Sequence, residues 1–178
     1  GIIALIKFFE LRYLSIELTE YELGVYAILA AYITISQMIV EMGIQNAVYS
    51  IESIEKINSD LLVIGWIKAI LYVTVLSLLI LFNEKYTLIE ISNYTHIFYA
   101  ALLIVLVISP IRYVRNSIIS KGDVKKIAIL EFTSNIFAFS FFYSYIKEIG
   151  LWAVVISMLI KYTLEASYYY TYSINKYG

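Results

Sequence analysis

Residues 61–83 read LLVIGWIKAILYVTVLSLLILFN. These 23 positions carry a single charge, Lys68, and a helix that crosses a bilayer needs about 20 predominantly apolar residues. The stretch is therefore predicted to be a membrane span. Moving outward, residues 23–40 are uncharged, with the apolar pattern running on to Val48, and residues 91–111 carry no formal charge apart from what His96 can acquire. Residues 127–146 contain only Glu131, and residues 149–174 only Lys161 and Glu165. Residues 2–16 read as a sixth span cut short, interrupted by Lys7, Glu10 and Arg12. They are not a signal peptide, because acids and bases break the run and no small-residue cleavage site follows. Runs of this length do not suit barrel strands, and a lipid-facing backbone must satisfy its own hydrogen bonds. The expected fold is thus all-α: a bundle of six transmembrane helices, one unit over residues 1–178, with no soluble domain inserted.

Composition agrees. Of 178 residues 61% are hydrophobic and 15% charged, with a mean hydropathy of +0.80, against about 45–50% apolar and about 25% charged in soluble domains. An ordinary soluble domain and a disordered chain are both excluded. The formal net charge of -1 gives no global basic field, so no nucleic-acid partner is expected. With no Cys and one His there is no disulfide framework, no thiolate nucleophile and no multi-histidine metal cluster; no metal or cofactor is expected. The chain starts at Gly1 rather than Met and enters apolar sequence at once, as expected of a fragment whose true N-terminus lies upstream.

The connections differ in charge. Residues 13–23 hold Glu17, Glu20 and Glu22 and no base, residues 49–60 hold Lys56, and residues 83–96 hold Lys85. Residues 112–126 hold Arg112, Arg115, Lys121, Lys125 and Lys126; Lys147 precedes the turn at Gly150, and Lys176 lies in the tail. Alternate connections share a side, so seven bases stand on one side against two on the other. The positive-inside rule then puts residues 112–126 in the cytoplasm. Tyr21, Tyr26, Trp66, Trp152 and the run Tyr168, Tyr169, Tyr170 fall near the predicted ends, where amphipathic rings favour the headgroup layer.

Ionisable groups inside a bilayer are costly, so each is a functional hypothesis weighed against a group that snorkels to the edge. Thr34, Gln37, Glu41 and Gln45 recur every three or four residues, as do Glu131, Ser134 and Asn135, and Ser157, Lys161, Glu165 and Tyr168. Each set lies on one helix face and is expected to turn toward neighbouring helices or water. Ala30 and Ala31 are expected to allow close helix approach nearby. At about 1.5 Å per residue, Glu41, Lys68 and Glu131 fall toward the cytosolic side, Lys161 deeper, and Glu165 one turn from Lys161. For Lys161 and Glu165 an i,i+4 ion pair is the commoner reading and a substrate contact the other. For Lys68 and Glu131 snorkelling and function stand level, and Arg112 and Arg115 read first as topology determinants. Glu41 is the strongest single functional candidate because of its polar companions; His96 reads as a solvated interfacial residue. Pro110, the only proline, either kinks the fourth span or marks its end. Phosphate loops, metal spacings and nucleophile elbows are absent, so no enzyme is expected.

Three stretches together resemble one family. They are Arg12-Tyr13-Leu14 followed by Glu22-Leu23-Gly24-Val25-Tyr26-Ala27; Glu41-Met42-Gly43-Ile44-Gln45-Asn46-Ala47; and Lys125-Lys126-Ile127-Ala128-Ile129-Leu130-Glu131 through Gly150-Leu151-Trp152-Ala153-Val154-Val155. In order and spacing these are similar to the Wzx-type polysaccharide flippases of the multidrug, oligosaccharidyl-lipid and polysaccharide exporter superfamily. Two features depart from the pattern: twelve positions separate Arg12 from Gly24, and Tyr49-Ser50 stands where a basic residue often follows the second motif. The resemblance implies two six-helix bundles facing one another across a cavity, this chain being the first and the C-terminal half its missing partner. It implies a multi-pass protein of the bacterial cytoplasmic membrane that translocates an undecaprenyl-diphosphate-linked oligosaccharide for surface polysaccharide, among membrane lipids and with room for a polysaccharide polymerase as a partner. On that reading Lys7, Arg12, Gln37, Lys68 and Lys161 are substrate-path candidates, and Glu41, Glu131 and Glu165 gate or ion-coupling candidates. The alternatives are a cation-coupled drug exporter of the same superfamily, a membrane-embedded polysaccharide polymerase or acyltransferase, and a structural membrane subunit without a transport path.

Overall fold

The computed structural model describes residues 2–41, 57–86, 94–120 and 122–177. Among the described residues there are six helices and no strand: α1 (Ile2–Glu17), α2 (Glu20–Glu41), α3 (Ile57–Tyr86), α4 (Thr95–Ser120), α5 (Val124–Ile149) and α6 (Leu151–Tyr177). The described part of each expected apolar run is largely helical, so the all-α class holds. Two stretches are long and apolar enough to cross a bilayer, Gly65–Tyr86 within α3 and Val124–Ile149; Thr95–Ile108 within α4 is a shorter apolar stretch.

The helices reach further than the apolar runs. Residues 13–23, expected as a connection, are helical except at Leu18 and Thr19. A capping box starts α2 there: the Glu22 backbone N–H donates to Thr19 Oγ1 at 3.3 Å, and the Thr19 backbone N–H donates to Glu22 Oε2 at 3.0 Å. Two orphan donors are thus satisfied reciprocally, and Glu20 and Glu22 complement the helix dipole in its first turn. In α4 the helix runs through Pro110 to Ser120, which removes the reading of Pro110 as a helix end. Arg112 and Arg115 are therefore helical rather than in a loop. The continuation is held by packing, since Val114 and Ile118, one turn apart, are both buried. Gly122 (φ 88) and Gly150 (φ 53) make the α4–α5 and α5–α6 turns, a backbone region that L side chains avoid.

The turns sort to two ends. The Lys147 ammonium lies 3.4 Å from Glu17, Tyr94 donates to Glu22 at 3.4 Å, and the His96 ring stacks on Trp152 at 5.4 Å. The α1–α2 and α5–α6 turns and the start of α4 thus meet at one end, which the sequence assigns to the outside. At the opposite end Tyr172 donates to Asp123 at 2.5 Å, joining α6 to the α4–α5 turn.

Leu14, Val25, Leu76, Ile80, Phe98, Ile104, Phe142 and Val154 belong to one apolar core drawn from all six helices. A smaller cluster of Val114, Ile118, Ile127 and Tyr169 lies toward the inner end of α4, α5 and α6. α3 packs against α4 and α2, α5 against α6, α6 against α4, and α1 against α5. Ala30 and Ala31 are exposed, contrary to expectation; the fully buried small side chains are Ala69, Ala101 and Ala153. They lie on α3, α4 and α6, the helices that share the larger interfaces, where a small side chain lets backbones approach. The outside is apolar instead: Trp66, Ile70, Leu78 and Phe82 of α3 are all more than half exposed. From Val63 to Phe82 this exposed face runs about 29 Å along the axis, close to the ~30 Å hydrocarbon core of a bilayer.

Candidate functional site

Between the two apolar clusters a polar belt crosses α5 and α6. On α5, Glu131, Ser134 and Asn135 share the face turned to α6, with Ser134 and Asn135 buried. On α6, Ser157 and Glu165 are buried and Lys161 is half-buried. Ser134 Oγ donates to Glu165 Oε1 at 2.8 Å and lies 3.2 Å from the Glu131 carbonyl. Asn135 Nδ2 donates back to that same carbonyl. At the inner edge of the belt three helices are tied at one carboxylate: Arg115 of α4 pairs with Glu131 through its Nε, and Tyr169 of α6 donates to Glu131 at 3.4 Å. Hydrogen bonding to Glu131 raises the Arg115 guanidinium above its ordinary pKa, against the opposing effect of partial burial, so it is cationic at any physiological pH.

On the α1 side the belt opens into a cavity of about 20 Å³ lined by Glu10, Asn135, Ser157 and Lys161 over Phe139 and Phe142. That volume holds about one water. Burying such groups is costly unless they are paired or hydrogen-bonded, and in the belt the Ser134 hydroxyl meets that condition for Glu165, and the Arg115 guanidinium and Tyr169 hydroxyl for Glu131.

The sequence candidates divide. Glu131, Lys161 and Glu165 come together in the belt. The i,i+4 ion pair expected for Lys161 and Glu165 is not formed: Ser134 takes the Glu165 carboxylate, while the Lys161 ammonium stands 5.1 Å over the Tyr162 ring and lines the cavity. The stripe on α6 continues inward through Tyr169, 1% exposed, rather than Tyr168, because a step of four from Glu165 stays on the buried face as readily as a step of three. Lys68 is 3% exposed on α3, inside the bundle rather than snorkelling from its surface. Arg12 is exposed on α1. Lys7 lies on α1 and Gln37 and Glu41 on α2, with side chains outside the described residues, as is most of the motif that Glu41 begins. His96 is exposed as expected, though capped by the Trp152 ring.

Three members of the site were not singled out from the sequence. Glu10, 8% exposed, was visible only as an acid in an apolar run, and no spacing rule linked it to α5 and α6. Arg115 and Glu131 stand sixteen positions apart across a turn, beyond the reach of helical periodicity, and Tyr169 was one of three adjacent tyrosines. Among the described residues no group of His, Cys, Asp and Glu is placed to hold a metal ion. No protein-family profile, curated protein or solved structure matches the chain. The belt is therefore read from its own chemistry: charge and hydroxyl groups gathered inside a bundle whose exterior is apolar, with room for single water molecules.

Proposed function

We propose that the chain is one six-helix lobe of a bacterial flippase that carries an undecaprenyl-diphosphate-linked oligosaccharide across the cytoplasmic membrane. The observation that carries the reading is the burial pattern: Glu10, Lys68, Ser134, Asn135, Ser157 and Glu165 lie inside while Trp66, Ile70, Leu78 and Phe82 face out. A soluble protein sorts these groups the other way; a lipid-embedded transporter needs a polar interior and an apolar exterior. The ordered motifs from Arg12 to Val155 supply the substrate class. A cavity of about 20 Å³ admits no sugar, so passage belongs between this lobe and a second one, rocking about the interface. In that scheme Lys161 offers positive charge to the diphosphate, and the Arg115–Glu131–Tyr169 tie holds the inner end of α4, α5 and α6 while the lobes move. Chemistry on the substrate is not part of the proposal.

The test is export in cells that carry the full-length protein. Lys161→Ala and Glu165→Gln should each cut surface polysaccharide at least about tenfold, an effect equal to roughly 1.4 kcal/mol, with the lipid-linked precursor accumulating in the inner leaflet. Unchanged export in both variants, at normal protein levels, removes the proposal. Loss of cationic-dye efflux with intact polysaccharide would assign the drug-exporter branch instead.

A further inference from the structure

The α4–α5 corner carries exposed positive charge. Residues 112–126 hold five bases and one acid, Asp123. Of these bases, Arg115 is committed to Glu131. Lys126 lies 3.8 Å from Asp123 and donates to the Tyr172 hydroxyl at 3.2 Å, with its side chain 53% exposed. Lys125 is exposed and makes no ion pair or hydrogen bond among the described residues. The acid of this turn, Asp123, is already engaged by Tyr172 at 2.5 Å. Both lysines stand immediately before the apolar run that begins at Ile127, which sets them at headgroup depth in a bilayer.

The surroundings fit a lipid headgroup. Tyr168 and Tyr172 form a parallel stacked pair, ring centroids 5.8 Å apart, and Lys126 lies 5.0 Å over the Tyr172 ring, an amphipathic platform of the kind that settles at the membrane interface. The opposite end repels the same ligand. Among the described residues it carries Glu17, Glu20, Glu22, Glu84 and Glu148 against Lys85 and Lys147, and Lys147 is paired with Glu17 at 3.4 Å. We propose that the corner formed by Lys125, Lys126 and the Tyr168–Tyr172 pair is a docking surface for the phosphate of an anionic phospholipid on the inner leaflet. Such lipids attract basic residues beside a span by roughly fivefold in affinity per residue. The inference uses the bilayer setting of the proposed function but not its transported substrate, so loss of either leaves the other measurable.

The detergent-solubilised full chain, titrated with phosphatidylglycerol or phosphatidylcholine and followed by native mass spectrometry, tests this. Phosphatidylglycerol should bind preferentially. Lys125→Gln should weaken it roughly fivefold, and Lys125→Gln with Lys126→Gln roughly twentyfold or more, at unchanged helix content; Lys85→Gln at the opposite end should not. Equal binding of phosphatidylglycerol by wild type and double variant overturns the proposal. So does displacement of bound lipid by inorganic diphosphate at the same concentration, which would mark a site for the phosphate group free of lipid.

Discussion

At the scale of single residues, Glu131 does the most joining. Its carboxylate meets Arg115 from α4 and Tyr169 from α6, and its carbonyl takes Ser134 and Asn135. Glu131→Gln keeps the shape and removes the charge. It should lower unfolding stability by about 1–2 kcal/mol, at the modest end for a charged hydrogen bond because Arg115 is about a third exposed. Paired with Arg115→Gln in a double-mutant cycle, measured by thermal unfolding in detergent, the two should show a coupling of about 1 kcal/mol; strictly additive losses would mean the pair is incidental. This part of the site was half legible. The stripes on α5 and α6 could be read because a 3.6-residue period shows which positions share a face. Which face meets which partner is a property of packing. Glu165 therefore looked like the natural mate of Lys161, although in the folded chain the hydroxyl of Ser134 is nearer.

At the scale of helices, the ends matter more than the middles. Thr19→Ala removes the hydroxyl that receives the Glu22 N–H and should cost about 1 kcal/mol. Thr19→Ser should restore most of it, with chemical denaturation as the readout. Gly150→Ala should cost a similar amount, about 1 kcal/mol, because φ is 53 and the added methyl would stand 3.4 Å from Glu22 Oε1. No loss on Gly150→Ala would show that the α5–α6 turn relaxes to another backbone. Helix existence followed directly from the long apolar runs, whose hydropathy is a local property. Helix length did not. The acids from Glu17 to Glu22 suggested a loop, yet Thr19 and Glu22 close a capping box that starts the next helix almost at once. Pro110 allowed either a kink or a stop, and Val114 and Ile118 bury beyond it and keep α4 helical.

At the scale of the whole molecule, the two chemically distinct ends make topology testable. The chain has no Cys, so single cysteines give a clean background. A cysteine introduced by Glu20→Cys should react with an impermeant maleimide from outside intact cells, and one introduced by Lys125→Cys only after the membrane is opened. Labelling of both from outside would deny the six-span arrangement. The stack of His96 on Trp152 has a further, optical consequence. The chain's two tryptophans both lie in the first half of their helices, Trp66 exposed on α3 and Trp152 under an imidazole ring. Each is a built-in fluorophore with its own neighbour: brominated acyl chains should quench Trp66, whereas Trp152 is contacted by the His96 ring. With Trp66→Phe in place, the remaining emission reports on one end of the bundle alone.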